Sequence, residues 1–582
     1  MRSIVILSLA VAIASTQASA QVDVLTQHND NQRSGLNIHE TVLNHQSVKA
    51  NFGKLWTLFS DSKIMAQPLY VSNLKSPHCP TGCNTVIFGS MKGTLYAYEA
   101  DKKPQTENDT LVWARWLGPP QAGSGEFDMW ATDDPFWGIL GTPVIDRSTN
   151  SIYAVVWNQD TRYRLYNVAL DTGAIKQAPV VIEGSLGPKN FIEGAIQKRK
   201  QRAGLLLSDG VLYVAFGGDD SSTLSGWLFV YDASTLKLKT IWSPIASPNP
   251  SDLHDGGIWQ SGQGLATDND GNVFLQTGNG VFDSATNKFG NSLLRLKLDA
   301  NKVAVEDFFS PCNQRFLNVG KCDLDLGSAG PVLFDDFIVG GGKSGELYLM
   351  GRTKLGKNQP GPVPPANPNC MAIPQCQDGP LVLQKWKAAN GHIHGTPIVW
   401  NGPSGQKWLY VMGEGSDLNA YPFEAGKFKV NDVRRSSWDP TEQYPQGFCG
   451  GQPMHWMPGG IMSVSSKADT AGTGIVWVLV PANGDANSFR GVKGMLLALD
   501  AEDVSKELWR SQGQNGAADT PNSFGLLARF VAPTVANGKV FVPTAGDKEK
   551  NGVRRFCGAN PRPIAEDNYP ANYFLAVYGL KN

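Results

Sequence analysis

The sequences GLLLSDGVLYVAF at residues 204–216 and WLFVYDASTLKLKTIW at residues 227–242 decide the fold. Short apolar runs alternate here with Gly, Asp and Ser, which is the pattern of β-strands joined by tight turns. The runs are Gly204–Leu207, Val211–Phe216, Trp227–Tyr231 and Lys239–Trp242. This stretch therefore predicts four short antiparallel strands.

The same unit recurs eight times along the chain. The runs that begin the eight units start at Gln67, Thr142, Gly204, Gly264, Gly330, Thr396, Gly460 and Ala532. A second and a third apolar strand follow each of them, and the fourth strand often carries Trp. No segment with a helical period separates the units. Eight such units in series predict the blades of a β-propeller.

The two ends of the chain complete each other in this pattern. The eighth unit stops at Tyr578-Gly579-Leu580 after its third strand, and the unmatched strand Gly53–Leu58 has the fourth-strand pattern. Pairing them would close the ring and remove open strand edges. The predicted fold is all-β, an eight-bladed β-propeller of four-stranded antiparallel blades whose last blade is completed by an N-terminal strand. Residues 21–582 are expected to form this single domain.

Composition excludes one class of function. The 582 residues include 51 Lys and Arg and 52 Asp and Glu, so the net charge is 51 − 52 = −1. A nucleic-acid or acidic-membrane partner would demand a cationic surplus. The 63 glycines exceed the usual share of about 7% and fit a chain rich in turns.

Residues 1–20 have the form of a secretory signal. Arg2 precedes an apolar run, Ile4–Ala14, and Ala18-Ser19-Ala20 is a small-residue cleavage site. We expect cleavage after Ala20, a secreted or periplasmic protein, no membrane span and a monomer.

Export favours oxidised cysteines, of which the chain has eight. Their spacing suggests the pairs Cys79/Cys83, Cys312/Cys322, Cys370/Cys376 and Cys449/Cys557. The last pair would pin the insertion Ala545–Ala571 beside the mouth of the central channel. Eight cysteines allow about 105 pairings, so sequence leaves the connectivity open.

Half of the eight histidines fall at one register of the repeat. His254, His392, His394 and His455 lie in segments that enter first strands, and these segments share one face of a propeller. The period of two in a strand puts His392 and His394 on the same side. We predict that His392, His394 and His455 bind a divalent metal such as zinc or copper. The alternative is that they hydrogen-bond loop backbone at the channel entrance.

Several segments resemble a known superfamily. They are HNDNQRSG at 28–35, QRAGLL at 201–206, GHIHGTP at 391–397, GIVW at 474–477 and ELW at 507–509. Together with the Leu-Asp-Ala/Thr turn they resemble the quinoprotein alcohol dehydrogenase-like propellers, whose repeats are named for pyrroloquinoline quinone (PQQ). The finer similarity is to secreted bacterial members without a settled activity, and it covers nearly all of the mature chain.

The resemblance implies a PQQ site with calcium, whose residues are expected by type. PQQ needs an aromatic platform, cations for its carboxylates and a general base. Suitable residues in the entry segments are Trp259 and Trp456 as platforms, Arg202 and Arg529 as cations, and Asp255 with His254 as the catalytic pair. The alternative is that they only decorate the surface of long loops.

Two functions follow from these patterns. The first is an exported oxidoreductase acting on an alcohol, aldehyde or sugar-like substrate, which the histidines and aromatic entry segments favour. The second is a non-catalytic propeller that binds a protein, peptide or glycan. It is favoured by the absence of adjacent cysteines and of matched calcium-binding Glu, Asn and Asp residues. The sequence has no Cys-x-x-Cys-His haem motif, so the electrons of an oxidation would have to leave to a separate acceptor.

Overall fold

Eight antiparallel sheets, each containing the four strands of one predicted blade, form the described part of the molecule, and two of these sheets carry one additional short strand. The computed structural model describes residues 22–106, 108–122, 136–187, 189–191, 199–217, 226–245, 256–319, 322–361, 369–370, 372–438, 456–482, 486, 492–512, 519–547 and 572–581. The prediction of an eight-bladed β-propeller is confirmed.

The strands are given in blade order, from the centre of the ring outwards. The first strands are Leu69–Leu74, Val144–Asp146, Leu206–Ser208, Ala266–Thr267, Val332–Phe334, Ile398–Asn401, Ile461–Ser465 and Thr534–Ala536. The second strands are Cys83–Gly89, Ser151–Trp157, Val211–Phe216, Asn272–Gln276, Phe337–Gly341, Lys407–Val411, Ile475–Pro481 and Lys539–Pro543. The third strands are Thr94–Glu99, Tyr163–Ala169, Trp227–Asp232, Leu293–Asp299, Glu346–Gly351, Asn419–Glu424, Gly494–Asp500 and Tyr573–Leu580. The fourth strands are Leu111–Trp116, Val180–Val181, Leu238–Trp242, Lys302–Phe309, Val382–Lys387, Lys427–Phe428, Glu507–Arg510 and Phe52–Ser60.

The remaining elements are short. The α-helices are His45–Asn51 and Gln314–Leu317. The 3-10 helices are Gln260–Gly262, Ser284–Thr286, Leu326–Ser328, Pro403–Gly405 and Val430–Asp432. Two-residue strands are Leu36–Asn37, Gln121–Ala122, Phe136–Trp137, Ser185–Leu186, Lys189–Asn190, Phe282–Asp283, Lys288–Phe289 and Arg434–Arg435. In the described part of the chain, no helix is both long and apolar enough to cross a membrane.

The ring closes through the two ends of the chain. Phe52–Ser60 pairs antiparallel with Tyr573–Leu580, from Phe52 opposite Leu580 to Ser60 opposite Tyr573. The core lies between neighbouring blades, where Trp400 of blade six packs with Val476 of blade seven. Second strands are consequently buried on both faces, which explains their continuous apolar runs.

Trp in a fourth strand ties neighbouring blades together. Trp113 of blade one donates from Nε1 to the carbonyl of Leu170 in blade two at 2.9 Å. Its ring lies against Gly173, where a Cβ would come within 2.6 Å of the indole. The repeated Trp and the Gly of the Leu-Asp-Thr-Gly turn are thus two halves of one contact.

Residues 22–43, which we call the channel segment, run through the centre of the ring. They hydrogen-bond the first strands of blades one, two, three, four, five, seven and eight, at Tyr70, Ile145, Leu207, Thr267, Leu333, Val464 and Val535. Leu36–Asn37 adds a parallel strand inside blade seven. The repeat pattern predicts no element in the channel, because this segment lies outside the repeat.

Arg33 anchors the channel segment, and its side chain is fully buried. Its Nε donates to the carbonyl of Leu265 at 2.7 Å, and its Nη1 donates to Thr26 Oγ1 at 2.8 Å and to the carbonyl of Gln27 at 2.7 Å. Burial lowers the pKa of Arg33 to about 10, so the guanidinium stays charged at neutral pH. The segment is therefore bonded to the blades through a buried cation.

The disulfides correct part of the sequence interpretation. Cys79 pairs with Cys83 as predicted, but Cys312 pairs with Cys376 and Cys322 with Cys370. We call these last two the blade-five disulfides.

The local pairings Cys312/Cys322 and Cys370/Cys376 are wrong because a long connection in blade five folds back along blade four. Asn358 in this connection donates to the carbonyl of Ser310 at 2.6 Å, and Gly361 donates to that of Cys312 at 2.7 Å. Two segments that are distant in sequence thus lie side by side. Cys449, Cys557 and most of Ala545–Ala571 lie outside the described residues.

Candidate functional site

Polar and aromatic side chains gather at one mouth of the channel. The segments that enter first strands supply most of them: Arg202, Trp259, Ser261, Asp323, Asp325, His392, His394, Arg529 and Phe530. The turns between second and third strands add Lys343 in blade five and Glu414 in blade six. Both kinds of connection lie on the same face of a propeller, so the side chains meet there.

Two histidines, His392 and His394, contact the carboxylate of Glu414, and we call these three residues the His–Glu cluster. His394 Nε2 lies 2.9 Å from Glu414 Oε1, and His392 Nδ1 lies 3.4 Å from Glu414 Oε2. His394 and Glu414 are buried, while His392 is half-buried at the edge. Burial lowers the pKa of His392 to about 4, against the opposing effect of Glu414, so this imidazole is neutral at pH 7.

Backbone contacts hold the cluster together. Glu414 N–H donates to the carbonyl of His392 at 2.9 Å, which joins the turn of blade six to its entry segment. Glycine permits this approach, since a Cβ at Gly391 would lie 2.2 Å from the Glu414 carbonyl. Ser261 Oγ lies 2.9 Å from His394 Nδ1, on the other side of the ring. Each ring nitrogen of His394 therefore has a polar neighbour.

An ion-paired group adjoins the cluster and surrounds Trp259. Lys343 Nζ lies 5.4 Å from the centre of the Trp259 ring and 2.7 Å from Asp325 Oδ1, and it also pairs with Asp323. Asp325 Oδ2 accepts a hydrogen bond from Trp259 Nε1 at 3.1 Å. Asp325 is fully buried, whereas the side chain of Asp323 is 47% exposed. Burial favours a raised pKa for Asp323, but Lys343 outweighs it and holds that pKa below the ordinary value.

Aromatic rings link the two groups. The Trp259 and His394 ring centres are 5.9 Å apart, and the Phe530 ring lies 5.0 Å from His394 and 6.0 Å from Trp259. Trp259 is half-buried. It therefore forms one wall common to the ion-paired group and the His–Glu cluster.

Positive charge lies on the far side of Phe530. The Arg202 guanidinium is 6.0 Å from the Phe530 ring centre and donates to the carbonyls of Met65, Leu140 and Arg529 at 2.9–3.0 Å. Burial, and then the charge of Arg529, lower the pKa of Arg202 to about 9. Among the described residues no carboxylate forms an ion pair with Arg202. Arg202 is thus a buried cation whose hydrogen bonds go to backbone carbonyls.

The channel segment forms the floor below these groups. Gln27 Nε2 donates to Gln263 Oε1 at 2.8 Å, and Gln27 Oε1 accepts from Gly264 N–H at 2.8 Å. This contact fixes the turn that carries Trp259 and Ser261.

Comparisons with known proteins identify the architecture. No family model and no curated protein matches the sequence. Solved structures do match. A quinohemoprotein alcohol dehydrogenase from Pseudomonas putida HK5 is 13% identical with a TM-score of 0.52, over 96% of this chain and 80% of that chain. A europium-containing methanol dehydrogenase is 14% identical with a TM-score of 0.53, over 96% of this chain and 98% of that one.

The fold is that of the quinoprotein alcohol dehydrogenases. At these identities the likeness establishes the architecture alone. The expected resemblance to a PQQ-type propeller is thereby confirmed for the fold.

The structure brings some of the predicted site residues together. Trp259, His392 and His394 share one site, and Arg202 and Arg529 lie beside it. Trp456 is buried at the entry to blade seven, where its carbonyl accepts from Gly459 N–H at 2.8 Å. His254, Asp255 and His455 lie outside the described residues, so their predicted roles stay predictions.

Sequence reasoning missed Glu414, Lys343 and the two aspartates. Lys343 sits in Gly340–Ser344, which reads as a simple hairpin turn. That interpretation of the backbone is correct, yet the side chain reaches the mouth. A search of the turns between second and third strands, which share the face of the entry segments, would have found both Lys343 and Glu414.

Proposed function

We propose that the protein is an oxidoreductase that uses a planar, anionic quinone of the PQQ type and oxidises an alcohol, aldehyde or sugar-like substrate at the channel mouth. One observation carries the proposal. Trp259 presents a half-buried indole whose ring is flanked by the Lys343 ammonium at 5.4 Å and backed by the Asp325 carboxylate. An aromatic surface beside a fixed cation suits a flat ligand that carries carboxylates.

The charges around the mouth fit such a ligand. Arg202 and Lys343 lie on either side of the aromatic wall, and Arg202 bonds neutral carbonyls instead of a described carboxylate. An anion would stabilise the buried guanidinium, whose pKa is lowered to about 9. The structure thus offers an aromatic platform and cations, which are the residue types that PQQ requires.

The two aspartates have different tasks in this proposal. Asp325 is occupied by Lys343 and Trp259, so it orients the cation and the indole. Asp323 is exposed on the mouth side and is ionised at neutral pH, because Lys343 lowers its pKa. Asp323 can therefore accept the hydroxyl proton of a substrate. When bound, PQQ would supply the acceptor for the two electrons and the hydrogen of the substrate C–H bond. Asp255 and His254 remain the sequence-based candidates for the same task.

We propose further that the protein works after export. The signal-like residues 1–20 and the three disulfides of the described chain support this assignment. Location of the mature protein by cell fractionation, with sequencing of its N-terminus, tests it.

Reconstitution with PQQ tests the enzymatic proposal. The purified protein is titrated with PQQ while tryptophan fluorescence is recorded, and dye-linked oxidation is measured with alcohols, aldehydes and sugars. Trp259→Leu should weaken quinone binding about fivefold, because one aromatic contact contributes about 1 kcal/mol. Trp116→Leu, at a side chain that is 57% exposed on the outer strand of blade one, is the matched control.

A second variant separates binding from chemistry. Asp323→Asn should retain quinone binding and lower the oxidation rate about 10²–10⁴-fold, as loss of a general base does. If PQQ does not bind and no oxidation appears, the enzymatic proposal is wrong and the non-catalytic alternative stands. Equal loss of binding in Trp259→Leu and Trp116→Leu would place the quinone elsewhere.

A further inference from the structure

We propose that the His–Glu cluster is a binding site for one divalent transition-metal ion, with His392, His394 and Glu414 as its ligands. The site is separate from the quinone site, although the two share the wall formed by Trp259. It does not depend on the proposed function.

The spacing of the donor atoms fits a coordination sphere. Bonds from zinc to imidazole nitrogen or carboxylate oxygen are about 2.0–2.2 Å, so neighbouring ligand atoms lie about 2.9–3.5 Å apart at tetrahedral or octahedral angles. The two nitrogen–oxygen distances to Glu414 are 2.9 and 3.4 Å. One ligand atom from each of the three residues can be chosen so that all lie within 4.8 Å of one another. These separations are compatible with one ion bound between the three side chains.

The surroundings orient the ligands as metal sites require. Ser261 Oγ contacts His394 Nδ1 at 2.9 Å, which directs Nε2 towards Glu414. Such a contact to the second ring nitrogen is typical of metal-binding histidines. The rings of Trp259 and Phe530 lie 5.9 and 5.0 Å from the His394 ring. A polar contact behind the ligand and an apolar wall around it favour a metal over a solvated ion pair.

Charge also favours a cation at this point. Glu414 is buried, and Asp323 is close enough to act electrostatically on both imidazoles. Asp323 is itself paired with Lys343, whose charge also acts on His392, so Glu414 is the carboxylate that offsets part of a divalent charge. Two nitrogens and a carboxylate are a donor set for zinc and its neighbours, whereas calcium prefers six to eight oxygens. Three protein ligands leave a position open towards the mouth, where His392 is half-buried.

Two other groups in the described chain contain residue types that can bind a metal, and both are weaker candidates for a metal site. In the first, His78 and Glu99 stand beside Cys79, but that sulfur is committed to a disulfide. In the second, His45 lies with Asp500 and Glu502, but its Nε2 is 2.7 Å from the carbonyl of Gly474. The His–Glu cluster differs from both groups in offering two imidazoles and in having two buried ligands, His394 and Glu414.

Metal titration of the full-length protein tests the proposal. The protein is stripped with EDTA and kept free of quinone, then titrated with ZnCl2 by calorimetry and with CoCl2 by visible absorption. We expect one ion per chain, a cobalt d–d band and a higher Tm with zinc. A protein that binds neither ion overturns the proposal, and this outcome is independent of the result with PQQ.

Variants locate the ion. Glu414→Gln and His392→Ala should abolish stoichiometric binding, and Ser261→Ala should weaken it about 10–100-fold. His78→Gln, which alters the first of the poorer groups, is the control and should bind as the unaltered protein does. His392 is half-buried, so His392→Ala should fold even if Glu414→Gln does not, and circular dichroism checks both. Unchanged zinc affinity in folded His392→Ala overturns the assignment.

Discussion

Replacing Arg33 by Met should destabilise the whole propeller, although Arg33 lies outside the repeat. Methionine keeps much of the aliphatic length and removes the guanidinium. The carbonyls of Leu265 and Gln27 would lose donors at 2.7 Å in a site without solvent, and Thr26 would lose one at 2.8 Å.

The size of the effect follows from these lost partners. A buried carbonyl left without a donor costs about 2 kcal/mol, so two of them give a loss of about 4 kcal/mol. The entropy of unfolding is about 2.1 cal/mol/K per residue, or about 1.2 kcal/mol/K for a chain of 582 residues. Arg33→Met should therefore lower Tm by about 3 °C.

Arg147 supplies a matched control. It forms an ion pair with Asp23 at 2.6 Å, and its side chain is 34% exposed. Exposed ion pairs contribute about 0.2–1 kcal/mol, so Arg147→Met should lower Tm by less than about 1 °C. Calorimetry of both variants at pH 7 makes the comparison. If Arg33→Met shifts Tm no more than Arg147→Met, the channel segment is not held by the buried cation.

Three further predictions concern single features of the fold. Burial lowers the pKa of His28 below its ordinary 6.5, so below that pH the unfolded chain binds a proton that the folded chain excludes, and stability should fall as the pH drops below about 6.5. The pH dependence of Tm should therefore be weaker in His28→Gln, and an unchanged slope would contradict this. Gly413→Ala would place a Cβ 2.6 Å from the nearest side-chain carbon and should cost about 1–3 kcal/mol in chemical unfolding, whereas Gly351→Ala, which meets nothing within 4 Å, should not. Peptide mapping without reduction should recover the blade-five disulfides and a Cys449–Cys557 bridge, and free thiols at these last two positions would refute that bridge.

The candidate site was predictable only in part, for a reason that the individual residues show. His392 and His394 carry a local signal, because two residues apart on an extended segment face the same way. Their partner Glu414 has no such signal, since it is separated from them by the first two strands of the blade. The local signal at Lys343 is misleading, because the Gly-rich sequence around it predicts a hairpin turn but does not indicate where the long lysine side chain points.

The sequence by itself determined the number of blades, the order of their strands and the closure of the ring by Phe52–Ser60. Each of these depends on apolar alternation and turn residues that repeat within a few positions, so local chemistry is enough. Only the tertiary structure decided the pairing of the blade-five disulfides, the course of the channel segment and the meeting of Glu414 with His394. These depend on which connections converge at the centre of the ring, and that convergence is a property of the closed propeller that no single blade contains.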